Sequence, residues 1–201
     1  MHMNIAELPD LDRRAVRATL TVVARLRPGD LERPTPCADW TLADLLAHMT
    51  VQHHGFASAA EGHGADPEAW RVRPLGDDPV AEYTAAAERV LAAFGAEGVL
   101  DRPFALPEFG AAAPFPGRQA IGFHLVDYVV HGWDVARSLG VGVELDADVV
   151  DAALTVAELV PDDERRLQPG AAFRPAVRVA DDAPALDRMV ALLGRSPSWP
   201  D

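Results

Sequence analysis

The chain has 201 residues, a length that suits one domain with at most a small appendage. Its net charge of −13, from 31 acidic against 18 basic residues, argues against nucleic acid and anionic membranes as partners, because like charges repel. A single cysteine rules out an intrachain disulfide. Together with the lack of a leader-like N-terminus and of an apolar run of about 20 residues, this makes a cytoplasmic protein the expectation.

Two helices are predicted in the first 60 residues. Apolar side chains recur at helical spacing after Asp10, which is a reasonable N-cap, and this helix should stop at Pro28. After a proline-containing loop, Thr41 and Asp44 approximate a capping box, so the second helix is expected over residues 42–60. Each helix carries an apolar stripe that has to be buried against a neighbour.

A long connection separates the next two helices. Asp78 followed by a proline predicts the start of the third helix, which should reach about Gly95. Residues 98–117 are rich in proline and glycine and leave room for a short extended piece. The fourth helix is the most apolar of the set and is expected over residues 118–139, with Gly140 as its C-terminal cap.

The remaining chain is less regular. A shorter helix is predicted over residues 146–160, a short strand over 176–180, and a last helix from residue 182 or 183 to 193. Four substantial helices without alternating strands predict an all-α fold, an antiparallel four-helix bundle with a short mixed tail. We therefore expect a helical bundle over residues 1–160 and a C-terminal extension over 161–201 packed on it.

Ionisable side chains are scarce on the apolar fourth helix, and three of them share one face. At about 100° per residue, His124, Asp127 and His131 fall within roughly 60° of each other around the helix axis. Burying three such groups is unfavourable unless something compensates them, and a metal ion would. Asp127 and His131 are four residues apart, so both can reach one ion. The apolar stripe of the second helix offers His48 as a third ligand.

The predicted ligand set is therefore His48, Asp127 and His131. Two imidazoles and one carboxylate suit Zn²⁺ first, with Ni²⁺, Fe²⁺ and Mn²⁺ also compatible, and they leave positions open for water or substrate. The alternative is an ordinary helix: Asp127 and His131 as an i, i+4 ion pair, and His48 as a core histidine bonded to a carbonyl.

Other polar residues near this face have less defined expectations. His124 and Asp134 are candidates for hydrogen-bond partners of the ligands. The alternatives are a half-exposed histidine and an ion pair of Asp134 with Arg137. His53 and His54 should point away from His48 and lie at the surface or rim.

The single Cys37 precedes a helix whose dipole could lower the pKa of its thiol, but no histidine lies near it in sequence to act as a base. A small hydrophobe is therefore the expected role of Cys37. The sequence identifies no general base.

Three segments carry a family resemblance that covers nearly the whole chain. They are TPCADWTLADLLAH at residues 35–48, DYVVHGWDVAR at 127–137 and DDAPALDRMVALLGRSP at 181–197. They resemble an actinobacterial family of metal-binding proteins in the mycothiol-dependent maleylpyruvate isomerase (N-terminal domain) group, within the DinB-like superfamily.

This resemblance implies a DinB-like bundle whose metal is held by a histidine on the second helix and a Glu-x-x-x-His or His-x-x-x-His pair on the last bundle helix. Those positions match His48, Asp127 and His131. Asp127 stands where the isomerase has glutamate, so its carboxylate is one methylene shorter. The isomerase also carries a further C-terminal domain, whereas this chain has a tail of about forty residues.

The resemblance further implies mycothiol as a low-molecular-weight thiol co-substrate. A metal-bound thiolate attacking a small electrophile would make the protein a transferase or a cis–trans isomerase. The alternatives are a non-catalytic metal-binding or sensing module, a hydrolase that uses metal-activated water and, with less support, a non-haem iron oxygenase. A homodimer is a further expectation.

Overall fold

The computed structural model describes residues 5–37, 39–109, 113–168 and 171–201. In these segments the chain forms six α-helices and one two-stranded ribbon, which confirms the predicted all-α fold. The elements are α1 (Leu8–Val23), α2 (Leu42–Ala60), α3 (Pro79–Phe94), β1 (Pro103–Phe104), β2 (Phe115–Pro116), α4 (Gly117–Leu139), α5 (Ala147–Ala157) and α6 (Ala185–Leu192).

Helices α1 to α4 form the bundle, in which α1 packs mainly on α4, and α2 packs on both α3 and α4. Most residues of α2 and α4 are buried, because each of these helices packs on more than one neighbour. Gly132 lets α1 approach α4 closely, because a Cβ at this position would lie 2.7 Å from Cγ2 of Thr19. Close packing of these helices fixes the α4 face that carries the predicted ligands.

The helix ends follow the local sequence signals, with one exception. Thr41 and Asp44 form a reciprocal capping box at the start of α2, and Gly140 ends α4 with φ 68°. Asp78 caps α3. Asp10, however, is not an N-cap: α1 begins two residues earlier, and Asp10 lies in its first turn, where it pairs with Arg14 at 3.1 Å.

The connection before α4 contains the expected extended piece. Strands β1 and β2 pair antiparallel, with Phe104 opposite Phe115. Between them the chain makes a 3₁₀ turn at Pro107–Phe109. Part of this loop, residues 110–112, lies outside the described residues. The ribbon joins the end of the third helix to the start of α4 and holds the loop beside α2.

The tail differs from the prediction at one point. No strand forms at residues 176–180, since the backbone there has no partner strand; the N–H of Val177 instead donates to the carbonyl of Ala191 at 2.9 Å. Helix α6 packs on α5, and its Met189 and Val190 join a core cluster that includes α4 residues. None of the described helices is both long and apolar enough to cross a bilayer.

Candidate metal centre

Helices α2 and α4 bring His48, Asp127 and His131 together. Oδ1 of Asp127 lies 3.3 Å from Nε2 of His131, and Oδ2 lies 3.9 Å from Nε2 of His48. One ligand atom from each residue falls within 4.8 Å of the other two. His131 is buried, with 4% of its side chain exposed, whereas His48 and Asp127 are 22% and 21% exposed. The cluster is therefore reachable from solvent on one side.

The donor set fits a divalent metal ion. In a tetrahedral zinc site with Zn–N and Zn–O distances near 2.0 Å, donor atoms lie about 3.3 Å apart. Oδ1 of Asp127 lies at that spacing, 3.3 Å, from Nε2 of His131, and the other oxygen of the same carboxylate, Oδ2, lies 3.9 Å from Nε2 of His48. Oδ2 of Asp127 is itself buried and has no hydrogen-bond partner. An unpaired buried carboxylate oxygen is unfavourable, and a cation at this point would satisfy it.

A hydrogen bond to Asp134 orients the ring of His131. Nδ1 of His131 lies 2.9 Å from Oδ2 of Asp134 and donates its proton there, which leaves Nε2, on the side of Asp127, as the atom that would bind a metal once it loses its proton. Metal-bound histidines commonly have such a carboxylate on the far nitrogen. Asp134 is fully buried and also accepts from Nη2 of Arg195 at 3.0 Å. It pairs with Arg195 rather than with Arg137, whose guanidinium lies over the Trp133 ring.

Arg195 is a residue that sequence reasoning did not assign to the site. It lies in the C-terminal segment, 61 positions after Asp134, and is buried beside it. Nη2 of Arg195 also contacts Sγ of Cys37 at 3.4 Å. Its position within the family-like ending at residues 181–197 was the available signal. Through Arg195, the C-terminal segment contacts Asp134, the residue that orients His131.

The electrostatics of the cluster favour the ligand forms of His48 and Asp127 but keep His131 protonated near neutral pH. Burial, which outweighs the attraction of Asp127, lowers the pKa of His48 to about 4, so this ring is neutral near neutral pH. Burial alone would raise the pKa of Asp127, but the neighbouring His131 and His48 lower it to about 2. Burial likewise opposes a charged His131, yet Asp127 and Asp134 raise its pKa to about 9. A metal ion would therefore displace one proton from His131.

Aromatic and sulfur groups surround the cluster. The ring of Trp40 lies 5.0 Å from that of His48 and 6.4 Å from that of His131, centroid to centroid. Cys37 lies close to His131 and Asp134, but burial raises the pKa of its thiol to about 11 in spite of the nearby Arg195. The Cys37 thiol is therefore protonated near neutral pH.

His124 lies deeper in the bundle and bonds to residues outside the proposed ligand set. Its Nδ1 lies 2.6 Å from Oδ1 of Asp12, and its Nε2 lies 3.2 Å from Nδ1 of His53. All three side chains are fully buried. The expectation that His53 lies at the surface or rim is wrong, because α3 and α4 cover two faces of α2 and leave no rim at that position. His54 is half-buried in a shallow groove with Arg73 and Arg89.

Comparisons with known proteins agree with this architecture. The family described as the mycothiol maleylpyruvate isomerase N-terminal domain matches residues 13–136. Two uncharacterized proteins of Mycobacterium tuberculosis, Rv0738 of strain H37Rv and MT0763 of strain CDC 1551, are each 31% identical over 183 residues. Each alignment covers 91% of this chain and 94% of the relative.

Two crystal structures of mycothiol-dependent maleylpyruvate isomerase, one of them a point variant, share the fold. The variant superposes with a TM-score of 0.60 at 12% identity, and the other with 0.55 at 13%. Each superposition covers 77% of this chain and 68% of the isomerase. From the sequence matches, the chain belongs to the mycothiol maleylpyruvate isomerase N-terminal domain family.

Proposed function

We propose that this protein binds one divalent metal ion, zinc in the first place, through His48, Asp127 and His131, and uses mycothiol as a thiol co-substrate. The observation that carries the proposal is the cluster itself: three donor atoms within 4.8 Å, an unpaired buried oxygen on Asp127, and a His131 ring oriented by Asp134. A bound divalent ion would supply Lewis acidity that lowers the pKa of a thiol placed at an open coordination position.

The side chains prepare the site for that chemistry. His48 is neutral near neutral pH and offers its lone pair without losing a proton. Asp134 holds His131 in one tautomer, and Arg195 compensates the buried charge of Asp134. His48 and Asp127 are partly exposed, so a small molecule can reach the cluster from that side. These features support a site that binds a ligand as well as a metal.

The reaction that fits best is thiol addition to a small electrophile. Release of the adduct gives a transferase. Addition to a conjugated double bond, rotation and elimination give a cis–trans isomerase, which is the activity named for the structural neighbours. The non-catalytic metal-binding module and the hydrolase using metal-activated water are the competing outcomes of the test below.

The test uses protein loaded with cobalt in place of zinc. Mycothiol should produce an intense sulfur-to-cobalt absorption band, and the zinc protein with mycothiol should then convert maleylpyruvate or a halide electrophile. The control variant His54→Ala should respond to mycothiol as the wild type does, because His54 lies on the same helix as His48 but lines a separate groove. A metal-loaded protein that shows no spectral response to mycothiol would contradict the thiol-dependent reaction and favour a binding module or a hydrolase.

A further inference from the structure

A carboxylate that belongs to none of the predicted ligands is held beside the site. Glu108 lies in the 3₁₀ turn Pro107–Phe109 between β1 and β2. The start of this loop is fixed to the bundle: Leu106 is buried, and Gly64 packs so closely on the loop that a Cβ there would overlap the carbonyl oxygen of Ala105. Packing therefore fixes the loop up to Leu106, two residues before Glu108.

The carboxyl end of Glu108 reaches inward although the residue as a whole is exposed. Its Oε2 accepts a hydrogen bond from Nε2 of Gln52 at 3.4 Å. Gln52 is 8% exposed and lies four residues after His48, so it occupies the same face of α2 one turn along. The Glu108 carboxylate is thus held on the face of α2 that carries His48.

The negative charge of Asp127 affects the pKa of Glu108. Burial first, and then the negative charge of Asp127 on α4, raise the pKa of Glu108 to about 7, while the hydrogen bond from Gln52 on α2 works in the opposite direction. Among the described residues, two groups of donor atoms lie within 4.8 Å of one another, His48 with Asp127 and His131, and Cys37 with His131 and Asp134; Glu108 belongs to neither. Glu108 therefore interacts electrostatically with Asp127 without being one of the clustered donors.

We propose that Glu108 is the proton carrier of this site: its carboxylate takes the proton from the sulfur of the incoming thiol and delivers it to the oxygen of the electrophile. The inference rests on the proposed thiol chemistry and adds the acid–base group that the sequence does not identify. A carboxyl group that changes protonation near neutral pH suits this role, because proton transfer in both directions is then accessible.

The proton and electron pairs balance over one cycle. The S–H bond of the thiol breaks as an O–H bond forms on Glu108. The sulfur then forms a bond to one carbon of a double bond conjugated to a carbonyl group. The π electrons move to the carbonyl oxygen, which takes the proton from Glu108. In isomerisation the steps reverse after rotation about the former double bond, and the proton returns to Glu108 and then to sulfur.

The experiment measures the turnover of zinc-loaded protein with mycothiol and an electrophile as a function of pH, at saturating zinc. The turnover of the wild type should fall on the acidic side of the profile, because a protonated Glu108 cannot accept the thiol proton. Glu108→Gln should bind metal and mycothiol as before and should lose this dependence on pH. Its turnover should fall by about 10²- to 10⁴-fold. Exposed Glu144→Gln is the matched control and should behave as the wild type.

Each other outcome has a distinct meaning. The same turnover and the same pH profile in Glu108→Gln and the wild type, with mycothiol bound to both, would overturn the inference and leave the proposed function standing. Loss of zinc from Glu108→Gln would also overturn it, since Glu108 would then belong to the metal site. Failure of the wild type itself to bind mycothiol would overturn the proposed function, and the inference with it.

Discussion

Arg195 and Asp134 form a buried ion pair, with side chains 4% and 0% exposed, and the substitution Arg195→Met would remove one partner from it. The Asp134 carboxylate would then keep its hydrogen bond from His131 but lose the bond from Nη2 of Arg195 at 3.0 Å. Methionine fills much of the same volume, so the change tests charge more than packing.

The expected loss follows from the burial. Removing one member of a buried ion pair typically costs about 3 to 5 kcal/mol, because the other charge stays in the interior. The bond from His131 reduces this loss, while Arg195→Met also removes a bond from Nη1 to the carbonyl of Leu193 at 2.8 Å, worth about 1 kcal/mol. The free energy of unfolding should therefore fall by about 3 to 4 kcal/mol.

Urea denaturation in the presence of a chelator measures this loss without a contribution from bound metal. Arg137→Met is the matched control: its guanidinium is exposed, lies 5.1 Å from the ring of Trp133 and donates to the carbonyl of Pro197. This control should lose about 1 kcal/mol or less. If Arg195→Met lost no more stability than Arg137→Met, the buried pair of Asp134 and Arg195 would not stabilise the fold.

Three further outcomes are expected. Asp134→Asn should weaken zinc binding by about 10- to 100-fold at unchanged stoichiometry, because His131 loses its orienting carboxylate; competition with a chelating dye measures this, and unchanged affinity would refute it. Zinc affinity should rise by up to about tenfold per pH unit from about pH 6 to about pH 8, since zinc must displace the proton held by His131, whose pKa is raised to about 9. A flat calorimetric pH profile would contradict that proton displacement. Gly132→Ala should lower the free energy of unfolding by about 1 to 3 kcal/mol, because the added Cβ would lie 2.7 Å from Cγ2 of Thr19. The control Gly142→Ala faces open space and should be close to neutral. Equal thermal midpoints for the two variants would refute the close approach of α1 and α4 at Gly132.

Capping residues and glycines predicted the ends of the bundle helices well, because these signals act on the backbone within a few residues. The capping box of Thr41 and Asp44 places the start of α2 at the predicted residue, and Gly140 ends α4 where a positive φ is required. The start of α1 was predicted wrongly because two local signals compete there. Asp10 is a good N-cap residue, but Pro9 in the first turn allows α1 to begin at Leu8.

Helical periodicity in the sequence does not predict contacts between distant segments of the chain. His53 has the spacing of a residue that faces away from His48, yet that direction also leads into the core, because α2 is packed on two sides. Glu108 and Arg195 come from a loop and from the tail, and no sequence spacing relates them to His48 or Asp134. The i, i+4 pair of Asp127 and His131 was visible because both lie on one helix.

Metal analysis of the purified protein tests the central claim most directly. After exhaustive dialysis against buffer treated to remove stray metals, the wild type and the control His54→Ala should each retain about one divalent ion per chain. His48→Ala and His131→Ala should retain substantially less while their circular dichroism stays helical. A wild type without stoichiometric metal, or a full complement in either ligand variant, would contradict the assignment of His48, Asp127 and His131 as the metal site.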